Sequence, residues 1–199
     1  MNLCSPDQRK ACAACCGLYN VPDGTRSALA KKMERRTLLF RHTDRSVEAI
    51  LEYQALIRTA ETEPPLDEAI HVCEFTGFVD SDNRVPGCLL HPSECGNCGV
   101  DLRGLCHYGS MACKAFFCPA WEHSDLPLLR LVSRLVDDWH LYGLVITDID
   151  FVQALFGLIR HFLGEPVDPH RLIKGPGREI FTEMLCWKDW RRAVHQSSS

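Results

Sequence analysis

The chain has 199 residues, of which 46% are hydrophobic and 24% are charged, and its formal net charge is −4. This composition excludes a disordered or fibrous protein, and the length is sufficient to bury a hydrophobic core, so we predict a single domain over residues 1–199. This small negative net charge is not typical of a nucleic-acid-binding protein.

The first residues, MNLCSPDQRKACAACCG, contain no apolar stretch of signal-peptide length. No segment approaches the roughly eighteen uninterrupted apolar residues of a membrane span; residues 150–164 come nearest, but they carry Gln153, Arg160 and His161. We therefore expect a cytoplasmic protein without a membrane-spanning segment.

The first half of the chain has the signals of two helices. Asp23, Gly24 and Thr25 supply capping chemistry for a helix over about residues 25–41, which is rich in strong helix formers. A second helix is predicted to start at Thr43 or Asp44, with apolar residues at helical spacing, and to stop before Pro64. We expect these two helices to form an antiparallel pair.

The middle of the chain changes character. Residues 71–91 have β-forming residues on both sides of the turn-prone segment 80–83, which predicts a short hairpin. Residues 92–121 are rich in glycine and cysteine and show no sustained period. Because few apolar side chains are available there, we expect something other than apolar burial to hold this loop.

Helical patterns return in the last part of the chain. A helix is predicted after a cap at Ser124 or Asp125, and another runs from Asp148 to Leu163. The second has apolar residues nearly all round, so we expect it to be the buried centre of the helical part. A loop over 166–177 and a last helix over 178–194 complete the prediction.

Twelve cysteines are present, and six of them fall within residues 88–118. In the cytosol such spacing favours metal ligation or redox chemistry over structural disulfides. Two cysteines separated by two residues can hold one zinc or iron–sulfur centre, and Cys12 with Cys15 and Cys95 with Cys98 have this spacing. The competing interpretation is that free thiols are buried as apolar side chains. The candidate metal ligands are Cys12, Cys15, Cys16, Cys73, Cys88, Cys95, Cys98, Cys106, Cys113 and Cys118.

Ten thiolates exceed the four ligands of a tetrahedral zinc site, so we expect two sites or one polynuclear cluster. The spacing leaves open whether the cofactor is zinc or iron, including an iron–sulfur cluster; zinc would stabilise the fold, whereas a cluster would add electron transfer. The role of Cys4 stays open. Cys186 lies in a helical pattern with Phe181 and Leu185, which predicts core packing.

Other residues have possible roles around the cysteines. His91 and His107 are placed to complete a mixed site or to bond to sulfur. We expect aromatic side chains to shield the metal from water, namely Tyr108, Phe116, Phe117 and Trp121. Basic residues on the first helix predict a solvated face more than a nucleic-acid contact, and they are Lys31, Lys32, Arg35 and Arg36.

The cysteine motifs resemble those of a bacterial cysteine-cluster family, the zinc- or iron-chelating domain with a CxxCxxCC-type signature. The similar segments, which together cover about residues 4–121, are Cys12-Ala-Ala-Cys15-Cys16-Gly, Cys73-Glu-Phe, Gly87-Cys88-Leu-Leu-His91-Pro92 and Cys106-His-Tyr-Gly-Ser-Met-Ala-Cys113-Lys-Ala-Phe-Phe-Cys118-Pro. The resemblance implies metal chelation. The pair Cys95 and Cys98 lies outside the family's usual pattern.

These observations predict a mainly α fold: a small helical domain with a cysteine-rich, metal-stabilised module that contains a short β-hairpin. We assign the module to residues 4–20 and 71–121, and the helical part to residues 25–63 and 124–194. The favoured function is metal binding by the clustered cysteines.

Two other functions stay open. Flagellin lysine methylases contain a similar cysteine cluster, so the resemblance allows an iron–sulfur redox or group-transfer enzyme, although no cofactor-binding motif is recognisable. A zinc-stabilised nucleic-acid adaptor is the third possibility, and nucleic acid is the less expected partner. The sequence does not decide whether the chain is an enzyme, and it identifies no protein partner.

Overall fold

The structure is a computed structural model that describes residues 3–7, 9–116, 118–122, 127–164, 168 and 177–197. The chain divides into two compact units. We call Ala13–Phe116 the cysteine-rich unit, and Met1–Cys12 together with Phe117–Ser199 the terminal unit. The fold is mainly helical with one small antiparallel hairpin, as predicted. The assignment of the whole chain to one domain stays a prediction.

The cysteine-rich unit contains the two predicted N-terminal helices. Helix α1 spans Arg26–Arg41 and begins where the Thr25 hydroxyl accepts a hydrogen bond from the Ala28 N–H; Thr25 is one of the three predicted capping residues. Helix α2 spans Val47–Ala60. It begins a little later than expected, because the Ser46 side chain caps it.

The predicted hairpin is present. Strand β1 (Thr76–Phe78) pairs with β2 (Pro86–Cys88), and Thr76 stands directly opposite Cys88. The Phe78 N–H donates to the Thr37 hydroxyl at 2.7 Å, which fastens the hairpin to α1. Gly77 permits this approach, because a Cβ at that position would lie 2.5 Å from the same hydroxyl oxygen.

The cysteine-rich loop has more regular structure than its sequence indicated. A 3-10 turn at Arg103–Leu105 is followed by a short helix, α3, at Gly109–Ala115. Leu102 and Leu105 of this loop pack against buried residues of α1, α2 and the hairpin. The expectation that the loop lacks apolar support was therefore wrong, since the two N-terminal helices supply it.

The terminal unit is a set of packed helices. Its helices are α4 (Pro119–Glu122), α5 (Pro127–Leu135), α6 (Trp139–Ile146), α7 (Ile149–Leu163) and α8 (Gly177–Ser197). The N-terminal segment joins this unit, where the Tyr142 hydroxyl donates to the Leu3 carbonyl oxygen at 2.7 Å. The Asp148 cap and the end of α7 confirm the predicted helix. The expected caps at Ser124 or Asp125 and most of the expected loop over 166–177 lie outside the described residues.

Helix α6, rather than α7, is the most buried helix of this unit. Every residue of α6 is buried, whereas α7 exposes Leu158 and Phe162. The expectation of a buried α7 was wrong, because the uncharged segment WHLYGLVI forms a separate helix that starts at the Asp138 cap. In the described part of the chain, no single helix has both the length and the apolar character to cross a membrane; α6 and α7 reach those limits only as a pair bent by 88°.

Candidate metal site

The ten candidate cysteines are distributed over both units, and all twelve cysteines of the chain are free thiols. Cys12 and Cys118 belong to the terminal unit, with Cys4 and Cys186. The cysteine-rich unit holds the others, namely Cys15, Cys16, Cys73, Cys88, Cys95, Cys98, Cys106 and Cys113.

Five thiols of the cysteine-rich unit lie together against its hydrophobic core. We call them the core thiol group: Cys16, Cys73, Cys88, Cys106 and Cys113. Cys73 and Cys106 are buried, and the other three are partly buried. The Sγ atoms of Cys106 and Cys113 are 3.2 Å apart. Segments distant in sequence thus contribute five thiols to one hydrophobic cluster.

The first of these segments is a short loop that ends in a 3-10 turn, Ala14–Cys16. Gly17 follows with φ = 73°, a left-handed conformation that suits glycine. The loop is then joined to the next segment by the Cys73 N–H, which donates to the Cys16 carbonyl oxygen at 2.9 Å. This bond places the Cys16 and Cys73 side chains in the same region.

The remaining members are positioned by the hairpin and the loop after it. Cys88 ends β2, and the His91 N–H donates to its carbonyl oxygen at 3.0 Å. Cys106 follows the 3-10 turn at Arg103–Leu105, and Cys113 lies on α3. The short chain between them folds back on itself, which accounts for their sulfur contact.

Three of the core thiols are held in the protonated state by a raised pKa. Burial is the main reason why the pKa of Cys73, Cys88 and Cys113 is raised to about 12 in each case, and neighbouring thiols of the group contribute to the rise. Without a cation, two thiolates placed this close would repel each other in a medium of low polarity. A bound cation would remove that penalty.

The adjacent cysteines Cys15 and Cys16, at the edge of the group, have pKa values shifted in opposite directions. A hydrogen bond from Cys16 lowers the pKa of the exposed Cys15 to about 7. The same contact, with burial and the thiols of Cys73 and Cys88, raises the pKa of Cys16 well above its usual value. Cys15 therefore carries the negative charge of the pair near neutral pH.

Two arginines supply positive charge near the core thiols. Arg36 is 2% exposed, and its Nη1 donates to the Cys73 carbonyl oxygen at 2.9 Å. Arg103 opposes the pKa rise of Cys88 and Cys113, and it is held by Asp101 through two hydrogen bonds of 2.9 Å each. Both guanidinium groups would reduce the cost of thiolate charge.

The apolar cover of the core thiols comes from α1, α2 and the segment before β1. The rings of Phe40, Tyr53 and Phe75 pack against one another with centroids 5.1–6.1 Å apart. The prediction that aromatic side chains shield the site from water was wrong for Tyr108 and Phe116, which are 46% and 58% exposed. Phe117 lies outside the described residues, and Trp121 belongs to the terminal unit.

One buried oxygen beside the group has no partner. Thr76 is 0% exposed, and its Oγ1 accepts and donates no hydrogen bond within the described residues. Because directly opposed residues of a hairpin place their side chains on one face, Thr76 shares a face with Cys88. A thiolate at Cys88 would give this hydroxyl an acceptor, which fits a cation-bound state.

The donor atoms do not stand in a finished coordination sphere. Across the described ranges, no group of three or more histidine, cysteine, aspartate or glutamate side chains is arranged so that it could hold a metal ion as it stands. Coordination by the core thiols therefore requires a rearrangement of their side chains.

The remaining candidate ligands are Cys95 and Cys98 in the cysteine-rich unit and Cys12 and Cys118 in the terminal unit. Cys95 and Cys98 are both exposed on the loop after β2. In the terminal unit, the Cys12 N–H donates to the Cys4 carbonyl oxygen at 2.8 Å. Burial mainly raises the pKa of Tyr142, and the thiols of Cys12, Cys4 and Cys118 add to the rise, so these three thiols lie near its ring. Cys186 is exposed, and the expectation that it packs in the core was wrong.

The histidines and the basic face take structural roles. His107 stacks on His71 with ring centroids 4.1 Å apart, and His91 Nδ1 lies 2.6 Å from the Ser93 hydroxyl. Three basic side chains of α1 pair with one carboxylate. Glu61 accepts hydrogen bonds from Arg35 at 2.8 Å and from Arg36 at 2.6 Å, and the Lys32 Nζ lies 3.6 Å from the Glu61 Oε2. Of the four basic residues of the predicted solvated face, Lys32, Arg35 and Arg36 therefore form ion pairs within the unit.

Comparison of the chain with models of protein families, with curated proteins and with solved structures finds no match. The resemblance to the bacterial cysteine-cluster family therefore stays a prediction.

Proposed function

We propose that the cysteine-rich unit binds zinc or an iron centre through the core thiol group, and that the protein works in a reducing compartment, the cytoplasm. The observation that supports this function most directly is the meeting of five thiols from separate segments, with Cys106 and Cys113 in sulfur contact. In a reducing compartment these thiols stay unpaired and available for metal.

The chemistry of the surroundings favours a cation over buried thiols alone. A tetrahedral zinc or iron site takes four thiolates, and the group offers five, with Cys15 at its edge. Four thiolates around one divalent cation leave a net negative charge, which Arg36 and Arg103 are placed to offset. The unpaired Thr76 hydroxyl would supply a hydrogen-bond donor to a thiolate at Cys88.

Metal binding would also act on the fold. The core thiols connect the first cysteine loop, the hairpin and α3, so a shared cation would hold all three segments together. Binding free energy of this kind appears directly as stability of the folded state. We therefore assign the metal a structural or carrier role, and we propose membership of the cysteine-cluster family on the same grounds.

The test is metal analysis with a visible absorption spectrum on the full chain purified without oxygen. We expect bound zinc or iron in a fixed ratio to protein. Iron with acid-labile sulfide and a brown colour supports an iron–sulfur centre, and with it the enzyme alternative; colourless protein with zinc removes that alternative. Native protein that is metal-free and takes up neither metal contradicts the proposal.

Cysteine variants test whether the core thiols are the metal ligands. Cys113→Ser, at a partly buried position, should lower the metal content, whereas Cys186→Ser, at an exposed position outside the group, should leave it unchanged. The melting temperature of the wild-type protein should rise on metal addition. A Cys113→Ser protein that keeps the wild-type metal content and the same rise would show that the ligand assignment is wrong.

A further inference from the structure

Residues 91–100, which hold the second CxxC pair, form three consecutive β-turns. In each turn a backbone N–H donates to the carbonyl oxygen three residues earlier, at 2.9–3.1 Å, and the pairs are Glu94 to His91, Asn97 to Glu94 and Val100 to Asn97. Each turn begins at the residue where the previous one ends, so the same turn position recurs every three residues. Cys95 and Cys98 both occupy the second position of their turns.

The residues that join these turns point into the unit. Glu94 and Asn97 are 4% and 2% exposed, and the Asn97 side-chain amide donates to the carbonyl oxygens of Leu89 and His91, both at 2.8 Å. With the joining residues facing inward, the second positions face outward. Both cysteines are accordingly exposed, separated by two residues in one short loop.

The loop is held in this form by groups outside the two cysteines. Arg45 Nε donates to the Asn97 Oδ1 at 2.7 Å, and the same guanidinium group packs on the Phe40 ring at 4.2 Å. Gly96 has φ = 93°, and a Cβ there would lie 3.0 Å from the Arg45 Nη2. Cys98 itself has φ = 51°, a left-handed conformation that a non-glycine residue rarely adopts. The surrounding contacts therefore fix the loop before any ligand binds.

The backbone of the loop also offers donors for sulfur. Within the described part of the chain, the N–H groups of Gly96, Cys98 and Gly99 make no hydrogen bond. Hydrogen bonds to the charged form of a group favour that form, so free N–H groups beside a thiolate stabilise it. These N–H groups belong to the middle residues of the turns, and they are available to a thiolate of the same loop.

We propose that Cys95 and Cys98 form a second, solvent-open site for a soft or borderline divalent cation such as Zn²⁺. Two thiolates from a CxxC turn can bind one cation, and two coordination positions remain for water or for donor groups of another molecule. Such a site holds metal less tightly than four thiolates and exchanges it faster, which suits loading and release. The site depends on this loop and not on the core thiol group.

The experiment is a Zn²⁺ titration of the reduced, metal-free full chain against a chromophoric chelator of known affinity. We expect a weakly held, rapidly exchanging equivalent of Zn²⁺ in the wild-type protein. The double variant Cys95→Ser, Cys98→Ser should lose that equivalent and keep any tightly held one. Cys186→Ser is the matched control, because it removes another exposed thiol, and it should keep both.

The outcomes separate this site from the core thiol group. A wild-type protein without the weak equivalent, or a double variant that retains it, overturns the open site. If the wild-type protein binds the weakly held Zn²⁺ but no tightly held Zn²⁺, the result contradicts the proposed function and supports the open site. Far-ultraviolet circular dichroism that is identical for the variants and the wild-type protein shows that lost binding is not lost folding.

Discussion

Gly17 lies against the backbone of His71, so closely that a Cβ at position 17 would be 2.3 Å from the His71 carbonyl oxygen. Real Cβ atoms do not approach an oxygen to that distance, and the contact therefore requires glycine. The same approach brings the loop that carries Cys16 onto the segment that carries Cys73. A backbone contact without any sulfur atom thus decides whether two of the core thiols meet.

Gly17→Ala should separate these segments. The left-handed conformation at position 17 alone costs alanine about 1–2 kcal/mol, and relief of the overlap must move the loop as well. We expect lower stability in chemical denaturation and lower metal content. Gly104→Ala is the control, since a Cβ there has nothing within 4 Å, and it should change the unfolding free energy by no more than about 0.5 kcal/mol. Equal effects of the two variants would contradict the role of Gly17.

The carboxylate of Glu61 should make stability depend on pH. Burial raises the pKa of Glu61, but the hydrogen bond and charge of Arg36 outweigh burial and lower it below 4.5. Because the folded pKa is below the unfolded value, the contribution is fully present above about pH 4.5 and is lost as pH falls through the folded pKa. Stability should therefore fall in acid, as measured by urea unfolding from pH 7 to pH 3.

Glu61→Gln isolates this contribution. Removing one partner of a buried ion pair costs about 3 kcal/mol, and the Arg36 and Glu61 side chains are only 3% and 11% exposed. The variant should be destabilised at neutral pH and should lose part of the fall in acid. Glu63→Gln, whose side chain is 62% exposed and meets Lys32 at 3.9 Å, should change stability by less than about 1 kcal/mol. An unchanged acid profile in Glu61→Gln would contradict the assignment.

Local signals in the sequence were sufficient for the elements that depend on local chemistry. The capping residues at 23–25 located the start of α1, and the turn-prone residues between Phe78 and Pro86 located the hairpin. The division of the last helices was missed at Asp138, whose side chain caps α6. Nothing in a local pattern shows that this aspartate ends one helical segment and begins a more buried one.

The cysteine count and spacing did not indicate which thiols would lie in one cluster. Cys95 and Cys98 have the spacing of metal ligands and yet lie exposed, while Cys73, which is in no CxxC pair, is buried among the core thiols. That difference arises from tertiary contacts, such as Gly17 on His71, that spacing does not contain. The shielding aromatics were missed for the same reason, although Phe40 lies in the predicted first helix.

Cys15 should be the most reactive thiol of the adjacent pair in the metal-free protein. Its pKa is lowered to about 7 by the hydrogen bond from Cys16, and it is exposed. The thiolate is the nucleophile, so alkylation by iodoacetamide should rise in rate through pH 7. Peptide mass spectrometry after short exposures gives the rate for each cysteine. Cys16→Ala removes the donor and should move this rise to higher pH; a Cys15 profile that is the same in both proteins would contradict the interpretation.

The Thr76 hydroxyl should have opposite effects on the two forms of the protein. In the metal-free form it is a buried group without a partner, so Thr76→Val, which keeps the shape, should raise the unfolding free energy by about 1 kcal/mol. In the metal-bound form the hydroxyl faces a thiolate at Cys88, and the loss of a hydrogen bond to a charged group should weaken metal binding about tenfold.

Thr37→Val is the matched control for this prediction. Thr37 is equally buried, but its hydroxyl accepts from the Phe78 N–H at 2.7 Å and donates to the Phe78 carbonyl oxygen at 3.3 Å. The same substitution there removes bonds that exist without metal, so it should destabilise the metal-free protein. Denaturant unfolding of both variants, with and without Zn²⁺, measures the four effects. If Thr76→Val destabilises the metal-free form as Thr37→Val does, the hydroxyl already has a partner there, and its role as a donor held for a thiolate is wrong.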